Sequence, residues 1–175
     1  MNITKELTQE HQNILQVIDI VLEECNSLEA GKDLNIDFFT KVVGFIKNYA
    51  DGYHHAKEEN ILFKAMLKNA EDMHCNPIPV MLHEHDAGRK FVAELVLALT
   101  KSDKSLLVEN ARGYCYLLQN HIYKEDNILY PMAEEAVSET QKQEVANQYE
   151  AVDLKNYFPQ DINKFIEELA AVTTK

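Results

Sequence analysis

Two stretches, HHAKEENILF at residues 54–63 and HIYKEDNILY at 121–130, superimpose with His54 over His121 and Glu58 over Glu125. Asn60, Ile61 and Leu62 fall over Asn127, Ile128 and Leu129. On an α-helix, residues four apart share a face and lie about 6 Å apart along the axis. Each pair therefore projects an imidazole and a carboxylate together. Chance placement of seven histidines and nineteen glutamates gives about one His-x-x-x-Glu; the chain has three, two of them in these matching settings.

A second repeated phrase is Glu10-His11 and Glu84-His85. His11 belongs to the apolar stripe of Leu7, Ile14, Leu15 and Ile18, and His85 shares a face with Met81, Leu82, Val92 and Leu95. One buried histidine is an ordinary satisfied core residue. Four of them with two buried carboxylates are different, because unpaired buried carboxylates are costly unless a cation compensates them. Four imidazoles and two carboxylates, without a thiolate, are borderline nitrogen and hard oxygen donors. Six donors exceed the four of a tetrahedral zinc site. They suit two metals about 3.5–4 Å apart, with two histidines on each and both glutamates bridging. A bridging oxide or hydroxide offsets part of the remaining charge, and the positions left open favour a redox-capable centre of two iron ions. Manganese or zinc would be accepted by the same donors.

The elements that must position these residues are helices. Apolar spacing from Leu7 predicts a first helix ending near Gly31, and a second is expected from about Asn35 to Leu67. DMHCNPIP reads as a loop, a third helix as Pro79 to Thr100, and KSDKS as a turn. A fourth starts near Ser105 and runs through His121 until Pro131 kinks or ends it. Long helices with short connections imply an all-α, antiparallel up-down four-helix bundle. Residues 1–136 form that bundle in this reading. Residues 137–175 add one or two accessory C-terminal helices on the same domain, the first opening with a Ser138/Gln141 capping box and the second carrying Ile162, Phe165, Ile166 and Leu169 on one stripe.

Composition agrees. The 175 residues are 46% hydrophobic with five glycines and four prolines, which favours helices over many short strands. A net charge of −12 argues against nucleic acid and against an anionic membrane surface. The N-terminus shows no signal-peptide pattern, and the longest apolar run, FVAELVLAL, is far too short to span a bilayer. Three scattered cysteines without a CxxC point to a reducing cytoplasm.

The Glu-His of the first helix, HHAKEENILF, LHEHDAGR and HIYKEDNILYPM together resemble the hemerythrin-like, or HHE cation-binding, family over roughly residues 1–136. The resemblance implies that His11 and His54 bind one iron, His85 and His121 the other, and that Glu58 and Glu125 bridge them. It also implies dioxygen, hydrogen peroxide or nitric oxide as ligands. Oxygen carriers of the family have a further histidine one turn before His85, where this chain has Met81. A pure oxygen carrier is therefore less in keeping with the sequence than a stress-response or iron-sensing branch. Those carriers use His-x-x-x-x-Asp in the last helix, a spacing that His121 and Asp126 also satisfy; the internal repeat favours Glu125.

Other residues have weaker readings. His55 and Glu59 form the third His-x-x-x-Glu, rotated about 100° from the first on an α-helix. They either orient His54 or stand exposed. His83 faces water, and His74 and Cys75 lie on a surface loop. Arg89 pairs with a carboxylate near the site or snorkels, and Tyr114 packs in the core. Two functions remain. One is a non-heme diiron protein that binds or reduces dioxygen, peroxide or nitric oxide, as an oxidase, a peroxidase or a nitric oxide reductase. The other is a metal or oxygen sensor or an iron-storage module read by a protein partner. A homo-oligomer and an electron-donor protein are possible partners of either.

Overall fold

The computed structural model describes residues 1–173, which are all-α, with no strand among them. The first helix, α1 (Lys5–Glu29), has no side-chain cap of its own. The Glu134 carboxylate instead accepts from the backbone N–H of Ile3 at 2.8 Å and of Thr4 at 2.9 Å. α1 stops where expected: Gly31 sits at φ +107°, a conformation that glycine alone adopts without strain.

The Asn35 side chain caps α2 (Ile36–Phe45), accepting from Phe38 N at 3.1 Å. The expected single α-helix to Leu67 then changes register. Ile46–His55 and Glu58–Leu62 are π-helical, and α3 (Phe63–Leu67) completes the run. A π turn closes its hydrogen bond one residue further on, so successive side chains are separated by less than the 100° of an α-helix. The DMHCNPIP loop leads to α4 (Ile78–Lys101). Ser102 in the left-handed region and Asp103, which caps through Leu106 N at 3.0 Å, turn the chain into α5 (Lys104–Lys124). A third π-helical segment, Glu125–Leu129, passes into α6 (Tyr130–Ala136), so the helix runs five residues past Pro131 before ending. The reciprocal Ser138/Gln141 capping box opens α7 (Glu139–Glu150), and the Asp161 carboxylate accepts from Lys164 N at the start of α8 (Ile162–Thr173).

α1 packs on α5, α5 on α4, and α4 on α2 and its π-helical continuation, which touches α1 and closes the ring of helices. Two apolar clusters fill the ring. One contains Ile14, Val21, Phe39, Phe45, Leu95 and Leu118; the other contains Leu7, Leu62, Met66, Met81, Leu129 and Tyr130. Along each long helix a polar residue is sandwiched between the two: His11 between Leu7 and Ile14, His54 between Tyr53 and Ile61, His85 between Met81 and Val92, His121 between Leu118 and Leu129. The interior is thus a polar layer with a dry lid on each side.

The C-terminal helices feed the same clusters. α8 lies on α1 and inserts Phe165, Ile166 and Leu169, while Val145 and Tyr149 of α7 join the second cluster. α7 lies over the Glu58–Leu62 segment, which explains why Ile61 is buried and its repeat partner Ile128 is exposed. No helix among the described residues is long and apolar enough to cross a membrane.

Candidate metal centre

The polar layer brings together all six residues singled out in the sequence. His11, His54, Glu58, His85, His121 and Glu125 are each no more than 2% exposed. The donor atoms of His11, His54, Glu58 and Glu125 lie within 4.8 Å of one another, and so do those of His55, Glu58, His85 and His121. Glu58 belongs to both groups. Its Oε2 lies 3.8 Å from His54 Nε2 and 3.5 Å from His85 Nε2. Glu125 likewise stands between the two sides, with Oε2 3.3 Å from His11 Nε2 and Oε1 3.1 Å from His121 Nε2.

The outer nitrogen of every one of these imidazoles is held by a carboxylate. Nδ1 of His54 meets Glu10 at 2.8 Å, that of His121 meets Glu84 at 2.9 Å, that of His11 meets Asp126 at 2.9 Å, and that of His85 meets Glu59 at 2.8 Å. Nδ1 protonated toward a carboxylate leaves Nε2 as a lone-pair donor aimed inward, the arrangement by which metal-binding histidines are oriented. Four of the inner atoms, His54 Nε2, Glu58 Oε2 and both oxygens of Glu125, are buried without a hydrogen bond, while His11 Nε2 meets the Tyr130 hydroxyl at 3.3 Å. Nε2 of His85 and of His121 face each other at 2.9 Å. Such a concentration of unsatisfied lone pairs in a buried layer is costly, and a cation would satisfy them together. The residues present therefore fit a metal centre.

Without a cation the layer is held by protons. Burial and the neighbouring Glu125 push the Glu58 carboxyl well above its ordinary range. Burial acts on Glu125 in the same sense, but the His121 and His11 imidazoles outweigh it and hold that carboxyl well below. His11, opposed by burial, is raised to about 10 by Asp126 and Glu125. His54 and His55 are driven well below the ordinary imidazole range, by burial first and then by neighbouring imidazoles. Cations compete with protons at such sites.

Glu125 rather than Asp126 supplies the inward carboxylate on the last helix, since Asp126 is taken up by His11 Nδ1 and by the Thr8 hydroxyl at 3.2 Å. His83, His74 and Cys75 are exposed, as expected. Arg89 pairs with Glu59 at 2.7 Å, so it braces the carboxylate that orients His85. Tyr114 is buried, as expected for a core residue, yet its hydroxyl has no hydrogen-bond partner and it lines a cavity at the site.

His55 is the correction. The α-helical reading turned it away from His54, but the π register of Ile46–His55 swings it inward, where it is buried against His85. Tyr130 was not singled out either. Its hydroxyl donates to Glu58 Oε1 at 2.7 Å and its ring stacks on His11. Its only sequence signal was the replacement of Phe63 by tyrosine in the second copy of the repeat.

The family model for the hemerythrin HHE cation binding domain matches residues 2–133. Neither a search of curated proteins nor one of solved structures found a match.

Proposed function

The chain belongs to the hemerythrin HHE cation-binding family, and we propose that it is a non-heme diiron protein that binds or reduces dioxygen, peroxide or nitric oxide. The observation that carries this reading is the pair of donor groups sharing Glu58, with every outer imidazole nitrogen fixed by a carboxylate. His11 and His54 would hold one ion, His85 and His121 the other, with Glu58 and Glu125 between them. Two irons, when bound, supply one-electron redox steps and open positions for a small ligand. Manganese or zinc would satisfy the same donors.

The protein's part is positioning and exclusion. Apolar clusters flank the polar layer on both sides, and the Tyr130 hydroxyl donates a hydrogen bond to Glu58 Oε1. A cavity of about 170 Å³ reaches the His85–His121 side between Gly88, Val92, Tyr114 and Leu118. Its mostly apolar wall suits a small, weakly polar ligand. A cytoplasmic setting agrees with three free cysteines.

A second reading, a metal or oxygen sensor or iron store, is favoured by one contact. α7 lies directly on the segment that carries Glu58, so a shift of that carboxylate on metal binding would be felt by α7 and by any partner or second copy touching it.

Protein purified anaerobically, then assayed for metal, tests the proposal. About two irons per chain, with spectral changes on adding dioxygen, peroxide or nitric oxide, is the expected result. A single zinc, or no uptake on reconstitution with iron, would overturn the redox reading. Turnover with peroxide or nitric oxide favours the first reading; a metal-dependent change in assembly without turnover favours the second. An electron-donor protein is required only by the first.

A further inference from the structure

The two halves of the polar layer are near copies. Glu10-His11 matches Glu84-His85, and His54, Lys57, Glu58 and Glu59 match His121, Lys124, Glu125 and Asp126. The contacts are copied as well: His54 on Glu10 and His121 on Glu84, His11 on Asp126 and His85 on Glu59, Lys57 on Glu10 and Lys124 on Glu84.

The copying fails around one residue. His55 stands where the other half has Ile122, Asp51 where it has Leu118, and Arg89 where it has Leu15. Ile122 and Leu118 are buried, so the fold itself is served by apolar side chains at these positions. An imidazole in place of a buried isoleucine is destabilising unless both its nitrogens find partners. One has: Nδ1 faces Asp51 Oδ1 at 3.3 Å, and Arg89 grips Asp51 with Nη2 at 2.8 Å and Nε at 3.0 Å. Nε2 makes no hydrogen bond within the described residues. The ring of His55 stacks on that of His85, centroids 3.9 Å apart and planes 12° from parallel, and one of its nitrogens falls within 4.8 Å of donor atoms of Glu58, His85 and His121. A buried imidazole with its outer nitrogen fixed by a carboxylate is the state of the other four histidines of the layer.

We infer that His55 is a fifth imidazole ligand, serving the metal held by His85 and His121. The donor set is then unequal, three imidazoles on that side and two on the His11–His54 side. The matching half has no histidine that could restore the balance. This rests on the dinuclear reading above.

The test is a comparison of wild-type protein with His55→Gln and His55→Ala, each loaded anaerobically with iron-57(II) and each checked for helix content. Wild type is expected to take up two irons and to give two distinct ferrous Mössbauer doublets. In both variants one doublet changes and the other stays, and that ion binds about tenfold more weakly or worse. Imidazole added to His55→Ala restores the wild-type doublet, since the cavity beside His55 admits it; a residue that merely packs would not be rescued spectroscopically. Folded variants with two irons and unchanged doublets overturn the inference and leave the diiron reading standing. Wild type that takes up one iron or none overturns both.

Discussion

The Tyr130 hydroxyl donates to Glu58 Oε1 across 2.7 Å while its ring lies stacked on His11, centroids 5.4 Å apart. The matching residue of the first repeat, Phe63, stacks on His85 without a hydroxyl, so the ring alone satisfies the packing and the hydroxyl is an addition aimed at the shared carboxylate. Tyr130→Phe should keep the fold, losing about 0.5–1.5 kcal/mol for the hydrogen bond. It should also weaken iron(II) binding by about 10–100-fold, the usual effect of removing a group that orients a ligand. Competition against a chelator of known affinity measures this. Unchanged affinity would mean that the hydroxyl serves stability alone.

Glu10 and Glu84 fix the ring orientation of His54 and His121, and each is itself held by a buried or half-buried lysine, Lys57 or Lys124. Glu84→Gln keeps the size of the side chain but removes the charge that favours Nδ1 protonation. Metal affinity should fall about 10–100-fold, as it should for Glu10→Gln, while His83→Ala on the exposed face of α4 leaves it unchanged. If His83→Ala proved as harmful as Glu84→Gln, the orienting role of the carboxylates would be lost.

The helices and the six inward residues were legible because both rest on spacing. His54 with Glu58 and His121 with Glu125 remain on one face whether the turn is α or π, so that reading survived the change of register. His55 did not survive it, since its direction depends on the rotation per residue and nothing in IKNYADGYHH announces a π turn. The partners of Nδ1 were hidden for another reason: Glu10 reaches His54 across 44 positions and Glu84 reaches His121 across 37. Such pairings belong to packing rather than to local sequence. Even so, the repeated Glu-His carried a trace of them, because its glutamate is repeated as faithfully as its histidine.

Removing metal should soften the protein. A ligand that binds only the folded state stabilises it by about 2.7 kcal/mol at a concentration a hundred times its dissociation constant. Glu58→Gln retains the volume and an oxygen to accept from Tyr130, but supplies no anionic oxygen to either ion. Thermal unfolding of the metal-free variant should resemble that of metal-free wild type, and the rise in Tm that iron(II) gives the wild type should vanish. A variant that still gained full stability from iron would show that Glu58 is not a ligand.

The cysteines report on the same bundle without touching its chemistry. Cys25 and Cys115 are fully buried and Cys75 is exposed. Burial pushes the Cys25 thiol up to about 11 and raises Cys115 as well, and only a thiolate attacks a disulfide reagent. Native protein near neutral pH should show one fast-reacting thiol, abolished by Cys75→Ser, and two slow ones limited by opening of the bundle. Cys115 faces the Ile18 carbonyl of α1 at 4.0 Å, so α1 and α5 must separate before it reacts. The pH dependence has a fixed sign. A thiol whose folded value is raised contributes stability that is fully present below its ordinary value of 9.0 and is lost as pH rises toward about 11. The slow phases should therefore accelerate through that window, and less so in Cys25→Val. Bound iron should retard them at every pH, because it stabilises the closed bundle from which labelling must escape. Slow phases indifferent to iron would mean that the metal layer and the α1–α5 seam open independently.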